Sequence, residues 1–235
     1  MLTKDKVPII HHNVRVNPKT TSGIDESQPS PLITDLTYAE LSSLNVGGKI
    51  PPVYSFDGRI PVEAKIPTLK ELLYEATTNP SMRDLNLNIE VKRDASTIYT
   101  PSEMVEEVLR VLAESGISLA RVAISSFDLA LLKVVRLACP FITIGMLLDE
   151  GEPLDWLIER AHAVGAQIVS PHYSSISCPD DVYRFKSLGY RVNVWSPNDP
   201  RTWDRMMSYG VNGMITDYPS SLVKFLHTKS KVSVQ

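Results

Sequence analysis

The stretch "AQIVSPHYSSISCPDDVYRFKSLGYRVNVWSPNDPRTWDRMMSYGVNGMITDYP", residues 166–219, decides the fold. Short runs rich in β-branched residues alternate in it with helical segments that begin at proline or aspartate and end at glycine. Proline fits the first turn of a helix, and glycine readily adopts the left-handed conformation that follows a helix end. The stretch therefore predicts β/α units in series, the pattern of a parallel sheet.

The same alternation of strand-like and helical segments begins at residue 66. The predicted strands are 85–92, 121–127, 141–148, 166–172, 190–195 and 212–218, and the predicted helices between them include 100–116, 153–165, 179–189 and 199–210. The helix at 100–116 has the clearest boundaries, because Thr100 and Glu103 have the spacing of a capping box and Gly116 stands at its end.

A barrel explains the polar residues at the strand ends better than a doubly wound sheet does. Nearly every predicted strand ends in polar or aromatic residues, namely Glu90, Lys92, Ser125, Ser126, Asp149, His172, Trp195, Thr216 and Asp217. In a (β/α)8 TIM barrel all strands deliver their last residues to one mouth. No strand is followed by a glycine-rich nucleotide-binding motif. A barrel needs about eight strands, so we expect six units of an N-terminally truncated barrel.

Residues 14–65 differ in composition from the rest of the chain. They are rich in proline, glycine, serine and threonine, with one short helix predicted behind the cap Thr37. We expect an irregular insertion that covers the barrel mouth. The whole chain, 1–235, is then a single domain.

Composition excludes several classes of function. The net charge is −3 with a pI near 6.0, which argues against nucleic acid and acidic lipid as partners. The two cysteines, Cys139 and Cys178, lack the spacing of a zinc site or a disulfide framework. No apolar run has the length of a transmembrane segment. We expect a soluble cytoplasmic protein.

The run "IEVK" carries the first candidate chemistry. On a strand, Glu90 and Lys92 point to the same face, while Ile89 and Val91 point to the other. A carboxylate can hold a hard divalent cation and a lysine can meet a phosphate oxygen, which suits a phosphodiester hydrolase. The alternative is a structural ion pair facing the barrel interior.

The histidines and a tryptophan give further candidates. Strand alternation predicts that His11 and His12 point to opposite faces, so that at most one of them lies in a site. His172 and Trp195 stand at predicted strand ends, where packing at the rim is the alternative to substrate binding. The run "SSFD" lacks the G-x-S-x-G context of a serine nucleophile.

Together these motifs resemble the glycerophosphodiester phosphodiesterase family, in that family's order. The matching runs are "TKDKVPIIHHN", "LITDLTYAELSSLNVG", "KIPTLKELL", "LNIEVK", "ISSFD", "SPHY", "YRVNVWSPN" and "GVNGMITDYP". The first is similar to T-x-D-G-x-P-V-V-x-H-D, and the second to the loop-and-helix insertion that follows it. Single motifs are weak, but the ordered series covers essentially the entire chain.

The resemblance implies a TIM barrel of the phospholipase C-like phosphodiesterase type. Such an enzyme hydrolyses glycerophosphodiesters to glycerol 3-phosphate and an alcohol, with a divalent metal (Ca²⁺ or Mg²⁺) and two histidines as acid and base. By motif, His12 matches a catalytic histidine, Glu90 a metal ligand, and Lys92 the lysine beside the phosphate. His172 and Trp195 match positions that line the substrate pocket.

The chain also departs from the family pattern. It has no H-R-G, E-N-T or E-x-D upstream of the first matching run, and Asn13 and Lys6 stand where the family has aspartate and glycine. We therefore expect a weakly bound metal, little or no diesterase activity, and self-association through open barrel edges. The alternative function is that of an inactive fragment or pseudoenzyme that binds phosphate or a partner.

Overall fold

The computed structural model describes residues 1–47, 49 and 62–232. Six β-strands and eight α-helices occur among these residues, and their alternation confirms the predicted α/β class. The contacts divide the chain into two compact units, Met1–Val122 and Ala123–Gln235. No helix in the described ranges is long and apolar enough to cross a membrane.

Among its described residues and besides short 3-10 turns, the first unit contains three α-helices and one β-strand. They are α1 (Tyr38–Ser42), α2 (Leu69–Thr78), β1 (Leu87–Glu90) and α3 (Pro101–Ser115). Each helix begins with a complete capping box, formed by Thr37 with Glu40, Thr68 with Glu71, and Thr100 with Glu103. The reciprocal bonds satisfy backbone N–H groups that have no partner inside the helix.

The insertion predicted at 14–65 shares its apolar core with the segments that flank it. Val16, Ile33 and Leu41 are fully buried and form one cluster with Ile9 and Ile66, which lie outside or at the edge of the insertion. The described part of the insertion therefore packs on its neighbours. Residues 48 and 50–61 lie outside the described residues.

Residues 3–6 are held against the start of α3. The Tyr99 hydroxyl lies 2.8 Å from the carbonyl oxygen of Thr3, and Lys6 Nζ lies 3.0 Å from Glu103 Oε1. Lys6, which replaces the glycine of the family motif, has a φ of 59°. That left-handed conformation favours glycine, and the ion pair with Glu103 offsets part of its cost.

We expect the stability of the first unit to fall in acid because of Glu71. The hydrogen bond and charge of Lys65, together with the bonds to Thr68, lower the pKa of Glu71 to about 2 from 4.5. The stabilisation is complete above pH 4.5 and is lost as the pH falls towards 2. The Glu71 side chain is 44% exposed, so solvent screens its interactions. We expect the ionised carboxylate to contribute about 1 kcal/mol to the free energy of unfolding.

The measurement is urea unfolding followed by far-UV circular dichroism between pH 2 and pH 6. Glu71→Gln keeps an acceptor for the Thr68 amide but removes the charge, so it should be less stable than the original chain at pH 6 and equally stable near pH 2. Glu75→Gln, one turn further along α2, is the matched control. A loss that does not depend on pH would contradict this prediction.

The second unit contains a parallel sheet whose strands follow one another in chain order. Its strands are β2 (Val122–Ser126), β3 (Thr143–Leu148), β4 (Ile168–Pro171), β5 (Arg191–Trp195) and β6 (Gly213–Ile215), and its helices are α4 (Leu129–Ala138), α5 (Leu154–Ala163), α6 (Pro179–Ser187), α7 (Pro200–Ser208) and α8 (Pro219–Val232). Each successive pair of these strands is parallel. The strands are shorter than predicted, and His172 lies one residue beyond β4.

The predicted glycine stops are confirmed at the helix ends. Gly116, Gly165, Gly189 and Gly210 all have positive φ angles and follow α3, α5, α6 and α7. At Gly165 the turn is tight as well as left-handed, because its amide donates to the carbonyl oxygen of His162 at 3.1 Å and the Arg136 side chain lies against it. The helices end one or two residues before these glycines, so the predicted boundaries ran slightly long.

An arginine at the end of α4 fastens one corner of the second unit. The Arg136 guanidinium donates to the carbonyl oxygens of Val164 at 3.0 Å, Gly165 at 2.9 Å and Ile142 at 3.2 Å, and also to that of Pro140. One side chain therefore joins the end of α4 to the loops that precede β3 and β4. We call this group of contacts the Arg136 clamp.

Candidate active site

A cavity of about 400 Å³ lies in the first unit. Its polar lining consists of His11, His12, Asn86, Asn88, Glu90 and Lys92. The apolar part of its wall includes Ile9, Leu72 and Ile89. The structure thus brings together three residues singled out from the sequence: His12, Glu90 and Lys92.

His12 is held at both ring nitrogens. Its Nδ1 lies 2.8 Å from Asn13 Oδ1, and its Nε2 lies 3.4 Å from Lys92 Nζ. A lysine ammonium can only donate, so Nε2 accepts and the ring proton of neutral His12 is on Nδ1. His12 then carries a lone pair on Nε2, as a general base requires. Asn13 orients the ring but cannot stabilise an imidazolium as a carboxylate does.

Glu90, the last residue of β1, and Lys92, two residues beyond the strand, both line the cavity, as the alternation in the sequence predicts. Ile89 and Val91 are buried, whereas Glu90 is exposed and Lys92 is half-buried. Both of these charged residues are described, and no ion pair joins them. The inward-facing structural pair is therefore not formed, and Lys92 approaches His12 instead.

The prediction that only one of His11 and His12 lies in a site is wrong. Residues 10–14 do not form a strand: residues 12–14 are bends, and the nearby pairing is limited to single bridges such as Ile9 with Thr68. Strand alternation does not apply to such backbone, and both histidines line the cavity. His11 Nδ1 lies 2.7 Å from the Asn13 carbonyl oxygen, and burial lowers the pKa of His11.

His172 and Trp195 lie together in the second unit. Their ring centroids are 4.6 Å apart, and the Trp195 indole N–H donates to the carbonyl oxygen of Ser170 at 3.1 Å. Phe127 packs edge-on against Trp195 at 5.6 Å. The structure thus forms an aromatic cluster from the residues that follow or end β2, β4 and β5, and a role for it in substrate binding stays a prediction.

The polar residues that follow β5 and β6 form hydrogen bonds with one another. Asn198 Oδ1 accepts from the Thr216 hydroxyl at 2.9 Å and from the Asp217 amide at 2.9 Å, while its Nδ2 donates to the Asp217 carboxylate at 2.7 Å. The "SPN" and "ITD" motifs of the sequence are therefore coupled. Their residues fasten two strand ends to each other.

Comparison with known proteins places this α/β chain among the phosphoric diester hydrolases. The chain belongs to the glycerophosphoryl diester phosphodiesterase family, whose model matches residues 1–221. A glycerophosphodiester phosphodiesterase of Caldanaerobacter subterraneus subsp. tengcongensis is 28% identical over 225 residues, which are 96% of this chain and 82% of that protein. This confirms the resemblance inferred from the motifs.

Solved structures agree on the fold. A candidate glycerophosphoryl diester phosphodiesterase of Silicibacter pomeroyi has a TM-score of 0.86 at 27% identity, with 98% of this chain and 82% of that chain covered. A phosphodiesterase of Oleispira antarctica, solved in complex with the product sn-glycerol-3-phosphate, has a TM-score of 0.76 at 24% identity, with 96% and 82% covered. The fold likeness extends over nearly all of this chain.

Members of this family generally depend on a divalent metal, so we asked whether the cavity fits one. Ca²⁺ and Mg²⁺ are held by several oxygen ligands. No group of three or more histidine, cysteine, aspartate or glutamate side chains in the described part of the chain is arranged to hold a metal ion. Glu90 is the carboxylate that this part of the chain places at the cavity. The described residues alone do not make a complete metal site.

Proposed function

We propose that this chain acts on glycerophosphodiesters, releasing glycerol 3-phosphate and an alcohol, and that His12 and Lys92 receive the phosphate. The observation that carries the proposal is the 3.4 Å approach of Lys92 Nζ to His12 Nε2 at the cavity. It places a cation and a proton acceptor side by side. Family membership supports the same reaction class.

A bound phosphodiester would compete with His12 for Lys92. An ammonium donates more strongly to a charged phosphate oxygen than to a neutral imidazole, so binding releases the Nε2 lone pair. His12 then takes the proton of the attacking water, and the imidazolium can return a proton to the oxygen of the departing alcohol. The new bond is P–O to water, and the bond broken is P–O to the alcohol.

We further propose that Ca²⁺ or Mg²⁺ binds weakly through Glu90. One carboxylate with water is a poor set of ligands for a hard cation. We therefore expect slow turnover of the diester. We also propose that the strands belong to a (β/α)8 barrel of the phospholipase C-like type. The same scarcity of carboxylates favours the second candidate function, a non-catalytic protein that binds a phosphate compound.

Two measurements on the purified chain separate these functions. The first is release of glycerol 3-phosphate from glycerophosphocholine, with Ca²⁺, with Mg²⁺ and with a chelator. The second is binding of glycerol 3-phosphate by calorimetry. Release of glycerol 3-phosphate faster than by the His12→Gln variant supports the diesterase function. Binding of glycerol 3-phosphate without release supports the non-catalytic function. If neither release nor binding is found, both candidate functions are contradicted.

Removal of the lysine charge should weaken phosphate binding. Lys92→Met is expected to raise the Kd for glycerol 3-phosphate by about 10- to 100-fold, because a hydrogen bond to a charged group contributes roughly 1.5–3 kcal/mol. Lys92→Arg should lose less, since it keeps the charge. Lys70→Met, at an exposed lysine of α2, is the matched control. Equal affinity for Lys92→Met and the control would contradict the role of Lys92.

A further inference from the structure

A chain of hydrogen bonds connects His172 to a carboxylate that the motifs did not single out. His172 Nδ1 lies 2.7 Å from Ser174 Oγ, and Ser174 Oγ lies 2.9 Å from Glu150 Oε1. The direct distance from His172 Nδ1 to Glu150 Oε1 is 3.3 Å. Glu150 follows β3, and Ser174 lies in the short 3-10 turn Tyr173–Ser175 that follows β4.

The direction of these bonds is set by the number of protons available. An ionised carboxylate can only accept, so the Ser174 hydroxyl donates its one hydrogen to Glu150. The Ser174 oxygen then has only lone pairs left for His172. A contact of 2.7 Å with those lone pairs requires a proton on His172 Nδ1.

The opposite arrangement fits the distances poorly. If Nδ1 were unprotonated, it would accept from the backbone amide of Ser174 at 3.4 Å, a far longer and weaker bond than the 2.7 Å contact with the Ser174 hydroxyl. It would also face the Glu150 oxygen at 3.3 Å with lone pair against lone pair. The geometry therefore favours the Nδ1–H form.

Packing keeps the ring in this orientation. The His172 ring lies 4.6 Å from Trp195 and 4.5 Å from Tyr173, centroid to centroid, and its side chain is only 12% exposed. Turning the ring over would break the short bond to Ser174 within this aromatic cluster. The orientation and the tautomer of His172 are thus coupled.

We propose that Glu150 and Ser174 are positioning residues that hold neutral His172 in the Nδ1–H tautomer. Nε2 of His172 is then a hydrogen-bond acceptor, suited to the hydroxyl of a polyol and not to a phosphate oxygen. This assignment of ligand chemistry rests on the proposed function. The tautomer itself does not, because it follows from the bonds within the second unit.

The test is nitrogen NMR of the ligand-free chain, labelled with ¹⁵N in histidine. Long-range proton–nitrogen spectra distinguish a protonated ring nitrogen from one that carries a lone pair. For the neutral ring of His172 we expect Nδ1 to carry the proton and Nε2 to carry the lone pair. In Ser174→Ala combined with Glu150→Gln, the two nitrogen shifts should move towards each other as the second tautomer becomes populated.

Two further variants separate positioning from folding. Ser174→Thr keeps a hydroxyl and should keep the original shifts, while Ser175→Ala, in the same turn, should leave them unchanged. Backbone amide spectra show whether each variant is folded. A wild-type chain with Nε2 protonated, or a folded double variant with unchanged ring shifts, would overturn the proposal. Since no ligand is added, neither result depends on the proposed function.

A binding measurement then tests the ligand chemistry. The double variant should bind glycerol, followed by the His172 ring nitrogen shifts, about three- to tenfold more weakly than the wild-type chain, the worth of one ordinary hydrogen bond. Its affinity for inorganic phosphate should not change. Equal loss for both ligands would overturn the hydroxyl assignment, and no binding of either ligand by the wild-type chain would instead count against the proposed function.

Discussion

His12→Gln is expected to lower kcat for glycerophosphodiester hydrolysis by about 10²–10⁴-fold, the usual contribution of a general acid or base. Glutamine can still accept from Lys92 and still fills most of the space, so the cavity should keep its shape. It cannot take up and return a proton. The measurement is release of glycerol 3-phosphate under saturating glycerophosphocholine.

Binding should respond much less than turnover. His12 contacts Lys92 through one long hydrogen bond of 3.4 Å, so we expect the Kd for glycerol 3-phosphate to change by less than about tenfold. His162→Gln, on the exposed side of α5, is the matched control and should retain full activity. A His12→Gln rate within twofold of the wild-type rate would exclude His12 as the proton-transfer group.

Arg136→Ala is expected to destabilise the second unit by about 2–4 kcal/mol, because hydrogen bonds from a charged group are among the stronger ones and those to Val164 and Ile142 are partly buried. The substitution removes every contact of the Arg136 clamp and leaves several carbonyl oxygens without their donor. Arg136→Lys should be nearly as costly. A lysine can reach one or two of these oxygens, but it lacks the planar fork that serves them together.

Tryptophan fluorescence is the appropriate probe, since Trp156, Trp195 and Trp203 all lie in the second unit. Urea unfolding followed in this way reports on that unit even if the two units do not unfold together. Arg184→Ala removes an exposed ion pair with Asp155 and should cost less than about 1 kcal/mol. Equal losses for the Arg136 and Arg184 variants would show that the clamp is not a stabilising feature.

The fold could be predicted because local signals and burial agree along most of the chain. Thr100, Glu103 and Gly116 marked both ends of α3, and the β-branched runs marked all six strands. The helix α2 was missed as an element, although Thr68 and Glu71 have the same capping spacing. The helix α2 has only ten residues and directly follows the irregular segment, so its run of periodic apolar positions is short. The composition of that segment also made the start of the helix hard to recognise.

The site was predictable only where side-chain placement follows from regular backbone. Glu90, the last residue of β1, and Lys92, two residues beyond it, both line the cavity, as the alternation in "IEVK" predicts. His11 and His12 were predicted to point to opposite faces, and this alternation does not hold because residues 10–14 do not form a strand. Ser174 and Glu150 gave no signal, since they come from a turn and a loop whose approach depends on how β3 and β4 pair in space.

A free, partly buried cysteine lies within the segment that the Arg136 clamp holds. Cys139 caps the end of α4 and donates its amide to Val135, and the next carbonyl along the chain, that of Pro140, accepts from Arg136. Thiol reagents would therefore reach Cys139 faster whenever this corner opens locally. The Cys178→Ser variant removes the exposed second cysteine. In that variant the rate at which a thiol reagent labels Cys139 measures local opening of this corner, separately from unfolding of the whole unit.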